Sequence, residues 1–440
     1  MDLRGFLGLL EKNNELIRIK KEVSPKFELA AVIQKIQKTI NKAVLFEKVK
    51  GYPNVSVASN VIGNHKKLAM AFGCSENQIV TTLGARWRLL EPVEATSKEK
   101  RKVFIDHLDL RKLLPMVHHY EKDGGPYIAS GILLAKDPET SERNLSYHRL
   151  QVTGKDELRF RITPGHHLGI YFDKAEKKGR PLEVTILIGN FPSVMLAGST
   201  NLPLDWDEVK FAGSLQGEPL KLTKCETVDL EIPVDTEIVI EGEILPGIRK
   251  PEGPYGDWLG TYIPIMDNHV FKAKAVTMRD SPIYTTILSG STEDIILNGV
   301  PVALSVFKDI YKVIPTVKDV VCWPFLLHCI VQLKTTAEGE GKQAALAAFG
   351  ANMQTIKYCI VVDEDVNIYD PSDVFWAIAT RCCPERDVIV IPGVPSFRRD
   401  PHKTHWGRVA IDATVPLGLE NAFERKRIPG EEDIRIEDYM

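Results

Sequence analysis

Between about residue 116 and residue 305 the chain reads as strand after strand with few long helical patterns, and this stretch restricts the fold more than any other feature. The runs at 127–134, 184–188, 237–243 and 269–278 are rich in β-branched and aliphatic residues and are separated by glycine and proline clusters. Many strands without interleaved helices are expected to form a β-barrel or an antiparallel sheet. The flanks alternate instead. Before the strand-rich stretch, Ser24 followed by Pro25 fits a helix N-cap with proline at the first helical position. Leu29, Ile33, Ile36 and Ile40 then recur at helical spacing, and β-rich runs follow at 43–46 and 55–61. After it come apolar runs at 360–362 and 388–391, with Asp370-Pro371-Ser372-Asp373 leading into a helix over 374–380. The 440 residues are therefore divided into an N-terminal α/β domain (1–115), a central β domain (116–305) and a C-terminal α/β domain (306–440).

Charge and cysteine usage exclude several classes of function. A formal net charge of −3 provides no global basic field for nucleic acid. The apolar run at the N-terminus is interrupted by Glu11 and Lys12, so it does not read as a signal peptide. No apolar run approaches the roughly 20 residues that span a bilayer, and a cytoplasmic location is expected. The seven cysteines are irregularly spaced, with no C-x-x-C, which argues against a disulfide framework or a structural zinc site.

Three groups of residues can carry chemistry. In Glu252-Gly-Pro-Tyr-Gly-Asp257 two carboxylates enclose turn-forming residues. A turn brings the acids together, which raises the proton affinity of one and suits it to general acid work; the alternative is a solvated acidic turn. In Asn144-Leu-Ser-Tyr-His-Arg149, Arg149 lies on or beside a strand, where its guanidinium could hold a carboxylate or form a structural ion pair. The odd separation puts Asn144 and Arg149 on opposite faces of a regular strand, unless Asn144 precedes the strand or a bulge intervenes. Asn144, His166, His167 and Glu226 offer a mixed nitrogen and oxygen donor set that suits Mn²⁺ or Mg²⁺ better than a structural zinc.

Taken in order, Asn144-x4-Arg149, His167-Leu-Gly169, Lys224-Cys-Glu226-Thr and Glu252-Gly-Pro-Tyr-Gly-Asp257 closely resemble the UbiD family of prenylated-FMN-dependent decarboxylases, over nearly the whole chain. The resemblance implies that the central domain is an FMN-binding split barrel and the C-terminal domain an oligomerisation domain, in a homodimer or homohexamer. It implies a prenylated FMN delivered by a flavin prenyltransferase, with its phosphate bound through Mn²⁺ (or Mg²⁺) and K⁺ nearby. Asn144, His167 and Glu226 would be the metal ligands, with His166 as the neighbouring competitor. Lys342 would contact the phosphate from a C-terminal helix. Arg149 would hold the substrate carboxylate, Glu252 would deliver the proton that replaces CO₂, and Asp257 would orient Arg149 and tune Glu252. Aspartate at 257 departs from the glutamate of the cinnamic-acid branch, so its reach is shorter.

The implied reaction is the reversible non-oxidative decarboxylation of an aromatic, heteroaromatic or α,β-unsaturated acid. A flavin-binding reductase or a subunit of a larger carboxylase complex are the rival readings. Substrate choice is expected from residues 287–299 and from the basic run 397–408, which carries Arg398, Arg399, His402, Lys403, His405 and Arg408. That run could meet a second anionic group on the substrate, or be a solvated loop or oligomer contact.

Overall fold

The computed structural model describes residues 1–95, 100–351, 355–395, 397, 406–430 and 433–440. Two compact units emerge, one of residues 1–304 with 322–326 and the other of 305–321 with 327–440.

In the first unit six strands close into an antiparallel barrel: Tyr127–Lys136, Arg143–Val152, Glu157–Phe160, Leu182–Ile188, Ile238–Glu252 and Met266–Met278. Closure comes from the two longest, paired from Ile238 opposite Met278 to Glu252 opposite Met266. Alternation explains why this sequence forms a barrel. Leu133 and Ala135, Leu150 and Val152, Val184, Ile186 and Ile188, and Ile238 and Ile240 are buried together in one core, at the two-residue period of a strand with one apolar face. Removing each large aliphatic side chain from water stabilises the fold by roughly 1.5–3 kcal/mol. Helix His167–Lys177 adds Leu168, Tyr171, Phe172 and Ala175 to that core.

A four-stranded sheet in the same unit has the order Leu16–Ile19, Ala43–Phe46, Ser56–Ser59, Ile283–Thr285. Its last strand arrives from beyond the barrel, so residues 1–115 do not complete the sheet alone. The helix expected from Ser24-Pro25 begins later, at Glu28, and runs to Thr39. Pro25 and Phe27 are tied through their backbones to His118, which holds Ser24-Pro25 in a preceding turn. Leu29, Ile33 and Ile36 are buried as the periodicity requires, whereas Ile40 caps the helix and is exposed.

The second unit contains a five-stranded sheet in the order Val317–Val321, His328–Leu333, Tyr358–Asp363, Gly407–Ala413, Val388–Pro392. The inner pairings are parallel and the outer two antiparallel. Asp370 caps helix Pro371–Arg381 by accepting from the Ser372 amide, as the Asp-Pro-Ser-Asp pattern implies. The strands on either side of this helix are not neighbours, because Gly407–Ala413 lies between them. No helix among the described residues is long and apolar enough to cross a membrane.

Candidate active site

Arg149 and Glu252 meet across the barrel as a bidentate ion pair, with Nε donating to Oε1 and Nη2 to Oε2, both at 3.0 Å. Their side chains are 12% and 1% exposed. The facing strand places the arginine: Ile128 opposes Leu150 and Gly131 opposes His148, so Ala129 and Ser130 together oppose Arg149. This is a bulge, the device that re-aims side chains near functional sites. Strand Arg143–Val152 is itself unbroken, with Asn144 as its second residue. The irregularity therefore lies in the partner strand.

Glu252 ends its strand and accepts two further hydrogen bonds, from the Tyr127 hydroxyl at 2.9 Å and from Asn268 Nδ2 at 2.8 Å. Four donors thus converge on one carboxylate. Burial by itself would weaken the Arg149 charge, but the bonds to Glu252 outweigh it and hold the guanidinium proton more tightly than usual. The guanidinium also lies 5.0 Å from the centre of the Tyr255 ring, and burial followed by the Glu252 charge raises the Tyr127 phenol pKa.

Glu252 orients Arg149 through both of its oxygens. The reason is the fold of the turn: Glu252 is still in the strand facing Arg149, whereas Asp257 lies beyond Gly253, which has φ +109°, and the cis bond to Pro254. Asp257 is buried, and its backbone closes a turn with Gly260 and Thr261.

A second cluster forms around Asn144 and His167. The carboxylate that meets them belongs to Glu208. Its Oε1 lies 3.1 Å from His167 Nδ1, its Oε2 accepts the Leu145 amide at 3.2 Å, and the Asn144 side chain is also hydrogen-bonded to it. Burial raises the Glu208 pKa, and the contacts with His167 and Asn144 oppose the rise. Asp207 caps helix Glu208–Gln216 and accepts from Arg143 Nε at 2.7 Å, which fastens the start of the helix to the strand that carries Asn144. Glu226 is exposed, and its amide donates to the buried carboxylate of Glu241, as do the Thr227 amide and hydroxyl. The Lys-Cys-Glu-Thr stretch is thus a loop folded around Glu241.

His167 opens its helix, and the exposed His166 is the N-cap. Gly169 is required where it stands, since a Cβ there would lie 2.8 Å from the Thr163 carbonyl oxygen. Sequence reasoning missed Glu208 because Asp-Glu at a helix start is commonplace. A signal was present: Glu208 shares one helix face with Phe211, Ala212 and Leu215, all buried, and an acid in an apolar stripe needs a partner.

The remaining described candidates have partners of their own. Lys342, on helix Glu340–Ala351 of the second unit, donates to the Arg386 carbonyl at 2.8 Å and lies 3.8 Å from Asp387. Within 287–299, the Ser289 carbonyl accepts the Tyr120 hydroxyl at 2.6 Å. Glu293 is turned away to accept the amides of Asn60 and Ile62. Arg398, Arg399, His402, Lys403 and His405 lie outside the described residues, and Arg408 is buried with its guanidinium on the carbonyls of Phe349 and Pro395.

Three family models match consecutive parts of the chain. They are the N-terminal domain of 3-octaprenyl-4-hydroxybenzoate carboxy-lyase (UbiD) at residues 7–87, its Rift-related domain at 91–292 and its C-terminal domain at 295–413. Among solved structures, the UbiD-class enzyme HmfF from Pelotomaculum thermopropionicum in complex with FMN superposes with a TM-score of 0.95 at 39% identity, covering 100% of both chains. An evolved dimeric form of HmfF in complex with prFMN gives 0.91 at the same identity and coverage. Anhydromevalonate phosphate decarboxylase of Methanothermobacter thermautotrophicus is 34% identical over 437 residues, 96% of this chain and 99% of its own. Phenolic acid decarboxylase of Bacillus subtilis is 31% identical over 442 residues, 95% and 93% of the two chains.

Proposed function

The chain belongs to the UbiD family, and on that footing we propose that it catalyses the reversible, non-oxidative decarboxylation of an aromatic, heteroaromatic or α,β-unsaturated carboxylic acid with prenylated FMN. The observation that carries the reading is the buried Arg149–Glu252 pair, with a second buried acid, Asp257, at the far end of the turn that follows Glu252. A flavin reductase has no use for an arginine locked in this way. The relatives include enzymes named as decarboxylases and one solved with FMN and with prFMN.

Each residue has work that follows from its surroundings. Glu252 fixes the plane of the guanidinium, and among the described residues Arg149 Nη1 has no hydrogen-bond acceptor in the protein, so it can receive a substrate carboxylate. Asp257 donates the proton that takes the place of CO₂; the oxygens of Glu252 are already occupied by four donors. When bound, the prenylated flavin supplies the electron sink that loss of CO₂ from an sp² carbon otherwise lacks. Asn144, His167 and Glu208 fit a divalent cation, Mn²⁺ or Mg²⁺, because the buried Glu208 carboxylate calls for positive charge and the three offer amide, imidazole and carboxylate donors. Such an ion would bring a phosphate and Glu208 together without net repulsion, with K⁺ as the accompanying monovalent ion. Arg149 stands five residues along the strand from Asn144, about 17 Å at the usual rise, a spacing that suits a ligand with a phosphate at one end and a reactive ring at the other. Assembly as a homodimer or homohexamer completes the proposal.

The test is a single-turnover experiment on protein co-produced with a flavin prenyltransferase, screened against aryl, heteroaryl and acrylic acids. Asp257→Asn should release CO₂ in the first turnover yet fail to form protonated product, whereas Arg149→Ala and Glu252→Gln should lose the CO₂ burst itself. Steady turnover in Asp257→Asn would refute its role as the acid. Absence of CO₂ release from the unaltered enzyme across the screen would refute the reaction.

A further inference from the structure

Gln151 follows Arg149 by two residues on strand Arg143–Val152, so both side chains leave the same face of the strand. It is 5% exposed, and its amide is used at both ends. Oε1 accepts the Gly253 amide at 3.1 Å, and Nε2 donates to the Gly124 carbonyl at 2.8 Å. Gly124 in turn donates its own amide to the Pro254 carbonyl at 2.8 Å. From the other side Asp123 accepts the Gly256 amide at 2.8 Å and the Tyr120 amide at 3.0 Å. The turn that joins Glu252 to Asp257 is therefore fastened at Gly253, Pro254 and Gly256. One of those fastenings comes directly from the strand that carries Arg149.

The approach is close. A Cβ on Gly124 would lie 2.0 Å from the Gly253 carbonyl oxygen, and one on Gly256 would lie 2.5 Å from the Tyr120 ring. The Glu252 carboxylate has holds of its own outside this clamp, on Asn268 and on Tyr127, whose hydroxyl also reaches the Pro254 carbonyl at 3.4 Å. The residue whose position the clamp controls is the one at the far end of the turn. The side chain at 151 must accept from one backbone amide and donate to one backbone carbonyl. A carboxamide offers both functions in a fixed plane; a carboxylate offers only acceptors and an aliphatic chain neither.

We propose that Gln151 is a positioning residue which ties the acid-bearing turn to the strand of the carboxylate-binding arginine, and so sets where Asp257 stands relative to the carbon that loses CO₂. Resting on the decarboxylase reading, it separates two functions: Arg149, held by Glu252, binds the carboxylate, and Gln151 and Asp123 place the proton donor. Misplacing a reacting group by about 1 Å is enough to cost on the order of 100-fold in rate.

Gln151→Leu conserves volume and removes both bonds. With the cofactor-loaded enzyme it should lower kcat by roughly 10–100-fold while KM stays within about twofold. CO₂ release in the first turnover should persist and protonated product should lag behind it. In the protein without cofactor, the Gly253 amide should exchange with deuterium faster while the barrel amides stay protected. Gln151→Glu keeps the acceptor for Gly253 and loses only the donor to Gly124, so it should fall between; it carries the test if Gln151→Leu does not fold. Unchanged Gly253 exchange, an unchanged kcat, or a kcat and CO₂ burst that fall together in proportion to lost folded protein would each overturn the proposal. If the unaltered enzyme itself gives no CO₂ burst, the decarboxylase reading fails instead, and the exchange measurement still decides whether Gln151 holds the turn.

Discussion

At Glu208 a carboxylate has lost nearly all its contact with water and is matched by an imidazole, an amide side chain and one backbone N–H. Burying an acid is costly unless it takes up a proton or meets a cation, and this is what distinguishes Glu208 from the exposed Glu226. The two acids therefore make opposite predictions. In metal-free protein titrated with Mn²⁺, Glu208→Gln should weaken binding by at least on the order of 10–100-fold, the loss typical even of residues one contact away from a metal. Glu226→Gln should leave the affinity unchanged. Equal affinity in Glu208→Gln, read by calorimetry, would remove Glu208 from the site.

The elements matter through their ends and irregularities. The barrel offers two regular antiparallel strands, and a bulge opposite one residue is what turns Arg149 toward Glu252. The turn after Glu252 is held by hydrogen bonds to its backbone, from side chains and from Gly124, and three glycines, at 124, 253 and 256, permit the approach. Gly124→Ala is the sharpest probe, since its methyl group would meet a carbonyl oxygen that cannot swing aside. Forcing a group into such a space typically costs about 1–3 kcal/mol. The variant should fold with a lowered melting temperature and lose turnover well beyond its loss of folded protein, as read by thermal unfolding and CO₂ release side by side.

For the whole molecule, the pH dependence of stability has one clear contribution in the second unit. Burial raises the pKa of Asp319 from 3.8 to about 7, although its oxygens accept the Tyr369 hydroxyl and the Val320 amide. A carboxyl that holds its proton more tightly folded than unfolded stabilises the fold while protonated. Its contribution is complete below about 3.8 and is lost as the pH rises to about 7. Asp319→Asn, which cannot ionise, should escape that loss. The melting temperature of the unaltered chain should fall relative to Asp319→Asn between pH 4 and pH 7, with the difference flat above pH 8. A constant difference across the range would remove Asp319 from this role.

The alternation at 184–188 and 238–240, the helical spacing of Leu29, Ile33 and Ile36, and the Asp370 cap could be read in the sequence because each is set by neighbours a few residues away. The motif around Arg149, Glu252 and Asp257 was legible for the same reason, as local chemistry in a recognisable order. Tertiary structure decided the pairings. Glu208 meets His167 because a helix start is fastened to the Asn144 strand through Arg143 and Asp207. Glu252 meets Arg149 because it ends a strand facing the arginine, whereas Asp257 lies past a turn. Gln151, Tyr127 and Asn268 carry no signal in one dimension, since a hydrogen bond between residues 16 to 125 positions apart exists only once the barrel has closed. Local periodicity determines which elements form, and the contacts made on closure determine which side chain meets which.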